Sequence, residues 1–260
     1  MKNVVKILSL VFALTLIFSL AACSGTDTET TEETTTEPPI VSKTPQPTTG
    51  AEALAYFNRV MDAVKTGKPA VSVSVSKDIK NVETDNDKLK AAIPTVKKYM
   101  LNTKADGAAY GDDLTNIFPV KGQDWGSRLT LADVRYATCL EAKDTYEVTI
   151  RFRDEAEAAP LSSSLGKAFD LVEKTPILEE FKKAADYLRI DDFDLTYTGC
   201  YIVCSVDRAT DEVRSVTYFL FADASTTVVG AGSLEGIGEV PLSLRYESKI
   251  TYTLDWTVPA

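Results

Sequence analysis

The chain has 260 residues, a net charge of −10 and no histidine. Without histidine, Ser-His and Cys-His nucleophile pairs, His general bases and His-ligated zinc are all excluded. The excess of acidic residues disfavours nucleic acid and anionic lipid surfaces as partners. Catalysis would therefore have to use carboxylate, lysine, serine or tyrosine side chains.

The first 22 residues have the layout of a secretory signal. Two lysines form a short positive region, an almost unbroken apolar run covers 4–20, and two alanines lead into Cys23. An ordinary transmembrane anchor is the alternative, but the run is at the short limit for spanning a bilayer. The tetrapeptide 20–23 resembles the lipobox of bacterial lipoproteins. This resemblance implies cleavage before Cys23 and a diacylglyceryl anchor on its thiol, at the extracytoplasmic face of the cell membrane.

A change of composition separates this signal from a folded domain. Threonine, glutamate, proline and serine dominate 23–50, where Ile40 and Val41 are the only large apolar residues. Such a segment buries too little apolar surface to offset its ordering entropy, so we expect a disordered tether over 23–50. A single domain then covers 51–260, where 33 acidic and 25 basic residues give a net charge of −8.

The first half of the domain alternates helical and extended patterns. Apolar residues at helical spacing predict a helix over 54–64, which ends at a Gly-x-Pro sequence. Valines alternate with serines over 71–75, which predicts a strand. A second helix is predicted over 89–100, and a loop over 107–126.

Strands dominate the second half. A hairpin is predicted from 134–140 and 146–152, followed by a helix over 168–188 that Pro176 interrupts. Long strands follow at 193–206, 213–222 and 240–256. Over the last strand, apolar residues alternate with polar ones, as in an antiparallel sheet with one covered face. We therefore predict the α+β class: a curved antiparallel β-sheet with helices packed on one face and long C-terminal hairpins.

Four large side chains on the apolar face of the last strand form a candidate ligand site. They are Tyr246, Ile250, Tyr252 and Trp256. If the sheet curves, they would line a groove for a small apolar ligand. The alternative is that they form the core beneath the helices. The shape of the sheet decides between the two: an open cleft favours a carrier, and a filled core favours an interaction module.

Three cysteines remain outside the expected anchor. Cys200 and Cys204 lie four residues apart on one predicted strand, about 13 Å in an extended chain, which is too far for a disulfide. Cys139 would reach either one if the strands are neighbours. The segment 133–139 matches 194–200 at Asp, Tyr and Cys, which favours Cys200 as the partner and suggests a weak internal duplication. The alternative is three reduced, partly buried thiols.

Two polar clusters are candidates for catalysis or cation binding. Asp191, Asp192 and Asp194 stand at the start of a predicted strand, as a glycosidase pair, a calcium site or simply its polar face. Ser164 and Lys167 have the Ser-x-x-Lys spacing without the partner motifs of penicillin-recognising enzymes, so helix capping is the preferred interpretation. We assign no catalytic residue and expect no metal site and no cofactor.

A wider resemblance rests on packing and turn residues. The residues that carry it are 125–134, 146–150, 166–169, 206–213 and Tyr218. They look like uncharacterised clostridial-type lipoproteins, which often carry Gly where Asp211 stands. The resemblance covers most of 125–222 and implies a Gram-positive surface lipoprotein of obscure activity. A helix followed by a large twisted sheet is also similar in architecture to lipid-carrier lipoproteins of the LolA and LppX type.

Together these patterns predict a membrane-anchored, extracytoplasmic lipoprotein that acts as a non-catalytic binding module of the cell envelope. Its partners would be the membrane, through the diacylglyceryl group on Cys23, and either an unknown small apolar ligand or an envelope protein. The alternative is a carboxylate-dependent extracytoplasmic hydrolase that acts on cell-wall glycan.

Overall fold

A long-stranded antiparallel sheet dominates the computed structural model, which describes residues 41–91, 101, 107–183, 186 and 188–259. Among the described residues, the longer helices are α1 (Gly50–Gly67) and α2 (Lys174–Lys183), and residues 87–91 are also helical. The strands are β1 (Ala70–Glu83), β2 (Val134–Glu141), β3 (Thr145–Phe152), β4 (Glu155–Ala156), β5 (Leu188–Arg189), β6 (Asp194–Tyr197), β7 (Tyr201–Asp207), β8 (Val213–Gly230) and β9 (Glu239–Asp255). A 3-10 helix, Gly232–Ile237, precedes β9. This arrangement confirms the predicted α+β class.

The main path of the sheet runs β1-β9-β8-β7-β3-β2, and each pairing along it is antiparallel. β8 and β9, with 18 and 17 residues, are about three times as long as an average strand. β7 pairs with the first half of β8, and the short strands β6 and β5 pair with the second half. β4 pairs in turn with β6, which places the loop after β4 beside the start of β6.

Helix α1 is capped at both ends and buries one face. The Thr49 hydroxyl accepts a hydrogen bond from the Glu52 N–H, and the Glu52 carboxylate accepts one from the Thr49 N–H, which is a capping box. Lys68 ends the helix in the left-handed conformation. The buried face consists of Ala53, Leu54, Tyr56, Phe57, Val60, Met61 and Val64. These residues share one core with the inner face of the sheet, so the helix predicted over 54–64 is confirmed.

The folded domain begins before the predicted boundary at residue 51. The Lys43 N–H donates to the carbonyl of Arg208 at 2.7 Å, and the Thr44 hydroxyl donates to the carboxylate of Asp211 at 2.6 Å. The predicted disordered tether is therefore wrong over 41–49. Composition failed here because hydrogen bonds from the Lys43 backbone and the Thr44 side chain hold this segment to the turn after β7.

The strand predictions need two local corrections. In β2 the register shifts between Val134 and Tyr136, which interrupts the simple alternation and leaves Tyr136 and Leu140 exposed on the outer face. In the single strand predicted over 193–206, Gly199 adopts φ +70° and separates β6 from β7. Glycine enters this left-handed region without the steric cost that a Cβ would bring.

The helix predictions are confirmed only in part. The helix predicted over 89–100 begins at residue 87 and is helical to residue 91. The rest of the predicted range, 92–100, lies outside the described residues. Helix α2 begins at Lys174 rather than at 168, and Pro176 lies in its first turn. Proline is tolerated in a first turn because the N–H it lacks would have no partner within the helix there.

Loops complete the cover of the inner face. The loop before β2 contributes Phe118, whose ring meets Tyr252 edge to face at 5.0 Å. The loop between β4 and α2 contributes Phe169, whose ring meets Tyr218 in the same way at 5.8 Å. Both phenylalanines are buried in the main core. None of the helices in the described part of the chain has the length and apolar character to span a membrane.

Candidate functional site

The apolar groove predicted on the last strand is part of the filled core. Tyr252 is only 4% exposed, and the Trp256 indole N–H donates to the carbonyl of Val213 at 2.9 Å. Tyr246 and Ile250 are partly buried and pack against the same core. The gap beside Ile250 and Tyr252 has a volume of about 20 Å³, room for about one water molecule. The groove prediction is therefore wrong. The loops before β2 and after β4 cover the apolar face of the sheet, which the alternation of apolar and polar residues in the last strand could not show.

Of the two alternatives for the cysteines, the structure contradicts the possible disulfide between Cys139 and Cys200 and shows three reduced, buried thiols. Cys139 on β2 faces Val148 on β3, and Val148 faces Cys204 on β7. Two strand spacings, about 10 Å, thus separate β2 from β7, beyond the reach of a disulfide. All three cysteines are free and buried, and burial raises the pKa of the Cys139 and Cys200 thiols to about 11. Buried thiols of this kind are inert.

Ser164 and Lys167 share a buried carboxylate and do not form a nucleophile-base pair. The Ser164 hydroxyl donates to Asp133 Oδ1 at 3.1 Å, and Lys167 Nζ donates to the same oxygen at 2.8 Å. Thr130 donates its N–H and its hydroxyl to Oδ2. Burial raises the pKa of Asp133, but these hydrogen bonds outweigh it and lower that pKa to about 2. We call this group the Asp133 cluster; it braces two loops and activates no nucleophile.

Asp191, Asp192 and Asp194 are exposed at the start of β6. Among residues with a described position, no three His, Cys, Asp or Glu side chains are arranged to hold a metal ion. The Asp192 carboxylate accepts the Phe193 N–H at 2.8 Å and lies 3.6 Å from Lys174 Nζ. Asp192 is therefore an exposed carboxylate close to a lysine.

A cleft of about 280 Å³ opens beside these aspartates. Segments 157–160 and 172–176 form its walls, and Leu195 and Tyr197 of β6 lie at its base. Its volume is close to the lower end of the range for small-molecule sites, about 300 Å³. We call it the β6 cleft.

Hydrogen bonds to β6 fix both walls. Glu157, with φ +49°, donates its N–H to the carbonyl of Leu195, and its Oε1 accepts the Leu195 N–H at 2.8 Å. On the other wall, the Val172 N–H donates to the hydroxyl of Tyr197 at 3.1 Å. Burial raises the pKa of Tyr197 to about 12, so this phenol stays neutral and available as an acceptor. Both walls of the cleft are thus held to β6 by hydrogen bonds of the backbone N–H groups.

Lys174, the first residue of α2, occupies one end of the β6 cleft. Its Nζ lies 2.7 Å from Glu157 Oε2 and 3.6 Å from Asp192 Oδ1. The ring centroid of Phe193 is 5.3 Å from the same nitrogen. Two carboxylates and an aromatic face are the groups that proteins use to bind an ammonium ion.

The pKa shifts agree with a charged pair. The hydrogen bond from Lys174, followed by that from the Leu195 N–H, lowers the pKa of Glu157. Partial burial lowers the pKa of Lys174, but the hydrogen bond and charge of Glu157 outweigh it and raise that pKa above its ordinary value. Both groups are therefore ionised at neutral pH.

Glu173 gives the β6 cleft an excess of negative charge. Its side chain is exposed, lines the cleft and has no ion pair within the described ranges. The lining thus holds two carboxylates, those of Glu157 and Glu173, and one ammonium group, that of Lys174. The start of α2 adds a partial positive charge of about half a unit, which leaves the site negative.

The outer face of the sheet carries a different cluster. Tyr201 and Phe219 stack with their centroids 4.2 Å apart. The guanidinium of Arg151 lies 3.9 Å from the Tyr201 ring, and Lys249 Nζ lies 5.6 Å from the Phe219 ring. Because neighbouring side chains cover these ring faces, the stack does not offer a flat platform to a sugar ring. We interpret it as packing that shields the outer face.

The sequence patterns did not reveal the β6 cleft. Its charged groups come from three segments, at Glu157, at 173–174 and at Asp192, that only the tertiary fold brings together. The sequence did contain one signal. A proline two residues after Lys174 marks the start of a helix. Acidic residues are common there and a lysine is unfavourable, because the helix N-terminus carries a partial positive charge. A lysine in that position needs carboxylate partners from elsewhere in the chain.

Comparisons of this chain with protein-family models, with curated proteins and with solved structures gave no match.

Proposed function

We propose that the protein is a lipoprotein, anchored through Cys23 at the extracytoplasmic face of the cell membrane, whose domain binds a small ligand without catalysis. The lipobox-like sequence 20–23 supports the anchor. The β6 cleft supports binding, because a cleft with converging polar groups is the usual form of a small-molecule site. The observation that carries the proposal is this cleft, with a charged lysine held at one end.

The chemistry around the cleft favours binding over hydrolysis. Glu157 is ion-paired with Lys174 and hydrogen-bonded to the Leu195 N–H. A carboxylate held in this way has a lowered pKa, whereas a general acid needs a raised one. In this state Glu157 is unsuited to act as a general acid.

The anchor is tested by lipid labelling. Cells that express the full-length protein are fed a radiolabelled or clickable fatty acid, and the protein is recovered from the membrane fraction. We expect label on the wild type and none on Cys23→Ala, which should also keep its signal segment. Equal labelling of both proteins, or of neither, would contradict the anchor.

The binding site is tested by mass spectrometry of small molecules that co-purify with the protein. Thr175 is exposed at the mouth of the β6 cleft, so Thr175→Trp should fill the cleft without disturbing the core. We expect at least one compound to accompany the wild type and to be lost from Thr175→Trp. Identical extracts from the two proteins would contradict binding in the cleft. Circular dichroism of both proteins serves as the folding control.

A further inference from the structure

The β6 cleft holds an ammonium group of the protein itself. Lys174 Nζ is bound by Glu157 and lies near Asp192, and its side chain is 25% exposed. The two carboxylates are more exposed, at 53% for Glu157 and 71% for Asp192. Exposed ion pairs of this kind contribute little stability, at most about 1 kcal/mol, so they exchange partners at low cost.

The excess of negative charge at the cleft determines the sign of the charge on a ligand that binds there. Two carboxylates and one lysine line the cleft, and a third carboxylate, that of Asp192, lies 3.6 Å from the lysine, so an anion would meet net repulsion. An added cation would reduce that repulsion. The carboxylate of Glu173 has no ion pair among the described residues, so it can pair with an added cation without breaking one.

The apolar part of the cleft lining determines the chemistry of the uncharged part of the ligand. Pro160, Val172 and Leu195 contribute apolar groups to the same lining as the charged residues. A short aliphatic or cyclic chain would lie on this surface with its charged end towards Glu157 and Glu173. With a volume of about 280 Å³, the cleft accommodates a small molecule.

From these contacts we propose that the β6 cleft binds a small organic ligand with a primary ammonium group, and that Lys174 is the internal competitor for its ammonium subsite. When the ligand binds, the flexible lysine side chain leaves Glu157 and turns to solvent. The ligand ammonium then takes its place between Glu157 and Glu173. This inference rests on the proposed function, because it names the class of ligand for the same cleft.

The test uses three probes that share a four-carbon chain: n-butylamine, which is cationic at neutral pH, sodium butyrate and butan-1-ol. Saturation-transfer difference NMR with the full-length protein in detergent micelles gives an apparent Kd for each probe. We expect saturable binding of butylammonium alone, and its loss in Thr175→Trp. Butyrate or butanol binding as tightly as butylammonium would overturn the proposal.

Two substitutions test the competition itself. Lys174→Met removes the internal competitor and should tighten butylammonium binding about threefold, the size expected for one exposed ion pair. Glu157→Gln removes the shared carboxylate and should weaken binding by a similar factor. Unchanged or weaker binding in Lys174→Met would overturn the proposal.

A matched control separates competition from a general effect of charge. Lys182 lies on the same helix, α2, and pairs with Glu179 at 2.8 Å, away from the cleft lining. Lys182→Met changes the net charge as much as Lys174→Met and should leave the Kd unchanged. An equal gain in both variants would contradict the role of Lys174.

The outcomes also separate this inference from the proposed function. If a compound co-purifies with the wild type and not with Thr175→Trp, yet butylammonium does not bind, only the ligand class is wrong. If neither experiment detects binding in the cleft, both the ligand class and the proposed binding function fail.

Discussion

Two lysine-carboxylate pairs have nearly the same N–O distance but differ in their exposure to water. Lys167 lies 2.8 Å from Asp133, and Lys174 lies 2.7 Å from Glu157. The side chain of Asp133 is 7% exposed, whereas that of Glu157 is 53% exposed. Distance therefore does not distinguish the two pairs, but access to water does.

The difference in burial determines what each pair does. Asp133 accepts hydrogen bonds from Lys167, Ser164 and Thr130, so each oxygen of its carboxylate is occupied. Removal of one partner there leaves a buried charge without compensation, which is costly. The Glu157–Lys174 pair borders a cleft, where water or a ligand can replace either partner. The first pair holds the fold, and the second is free to exchange.

The largest expected effect comes from the buried pair. Asp133→Ala should lower the free energy of unfolding by about 3 kcal/mol, because Lys167, Ser164 and Thr130 lose their common acceptor. Urea unfolding followed by circular dichroism measures this change. A loss below about 1 kcal/mol would show that the Asp133 cluster behaves like an exposed pair.

A third carboxylate extends the comparison to the start of the domain. Asp211 accepts hydrogen bonds from Thr44, Tyr56 and Arg59 and is 7% exposed. Asp211→Ala should cost about 2 kcal/mol, since hydrogen bonds to a charged group are lost. It should also release the segment 41–49.

Trypsin cleavage after Lys43 reports that release, because proteolysis requires local opening. We expect cleavage of Asp211→Ala to be faster than that of the wild type under native conditions. Asp191→Ala, which removes an exposed carboxylate, is the control and should be cleaved at the wild-type rate. Equal rates in all three proteins would contradict the role assigned to Asp211.

The pH dependence of stability should also distinguish the two pairs. The folded-state pKa of Asp133, about 2, lies below the value near 4 of an unfolded chain. Its contribution is therefore complete above pH 4 and is lost as the pH falls towards 2. Between pH 4 and pH 2, the wild type should lose about 2 kcal/mol more than Asp133→Asn. Parallel stability curves for the two proteins would contradict the lowered pKa.

The smallest expected effect is on the exposed pair. Glu157→Gln should change the free energy of unfolding by less than about 1 kcal/mol, since exposed ion pairs are weak. The same urea experiment measures it beside Asp133→Ala. A loss as large as that of Asp133→Ala would mean that the Glu157–Lys174 pair holds the fold, and would remove the basis for exchange at the cleft.

The sequence predicted the elements that local periodicity defines. The helix over 54–64, the hairpin from 134–140 and 146–152, and the alternation of the last strand all appear in the structure as α1, β2–β3 and β9. The pattern of α1 also identifies its buried face, whereas in β2 Ala137 and Cys139 are buried and the alternate residues Tyr136 and Leu140 are exposed. None of these patterns shows what covers the buried face of an element.

The rest depended on contacts between distant segments. Phe118 from a predicted loop, and Phe169 from the start of a segment predicted as helix, both fill the inner face from loops, so the groove predicted around Tyr252 was wrong. The early start of the domain depends on polar contacts such as that between Thr44 and Asp211, which composition does not reveal. The β6 cleft was missed for the same reason, because Glu157 and Lys174 meet only in the folded chain.

A double-mutant cycle on butylammonium affinity tests the exchangeable character of the Glu157–Lys174 pair most directly. We predict that Lys174→Met tightens binding about threefold in the wild-type background and has little effect in the Glu157→Gln background, where no carboxylate is freed. The same threefold gain in both backgrounds would mean that Lys174 acts only through its charge. That result, or the absence of any gain, would contradict the account.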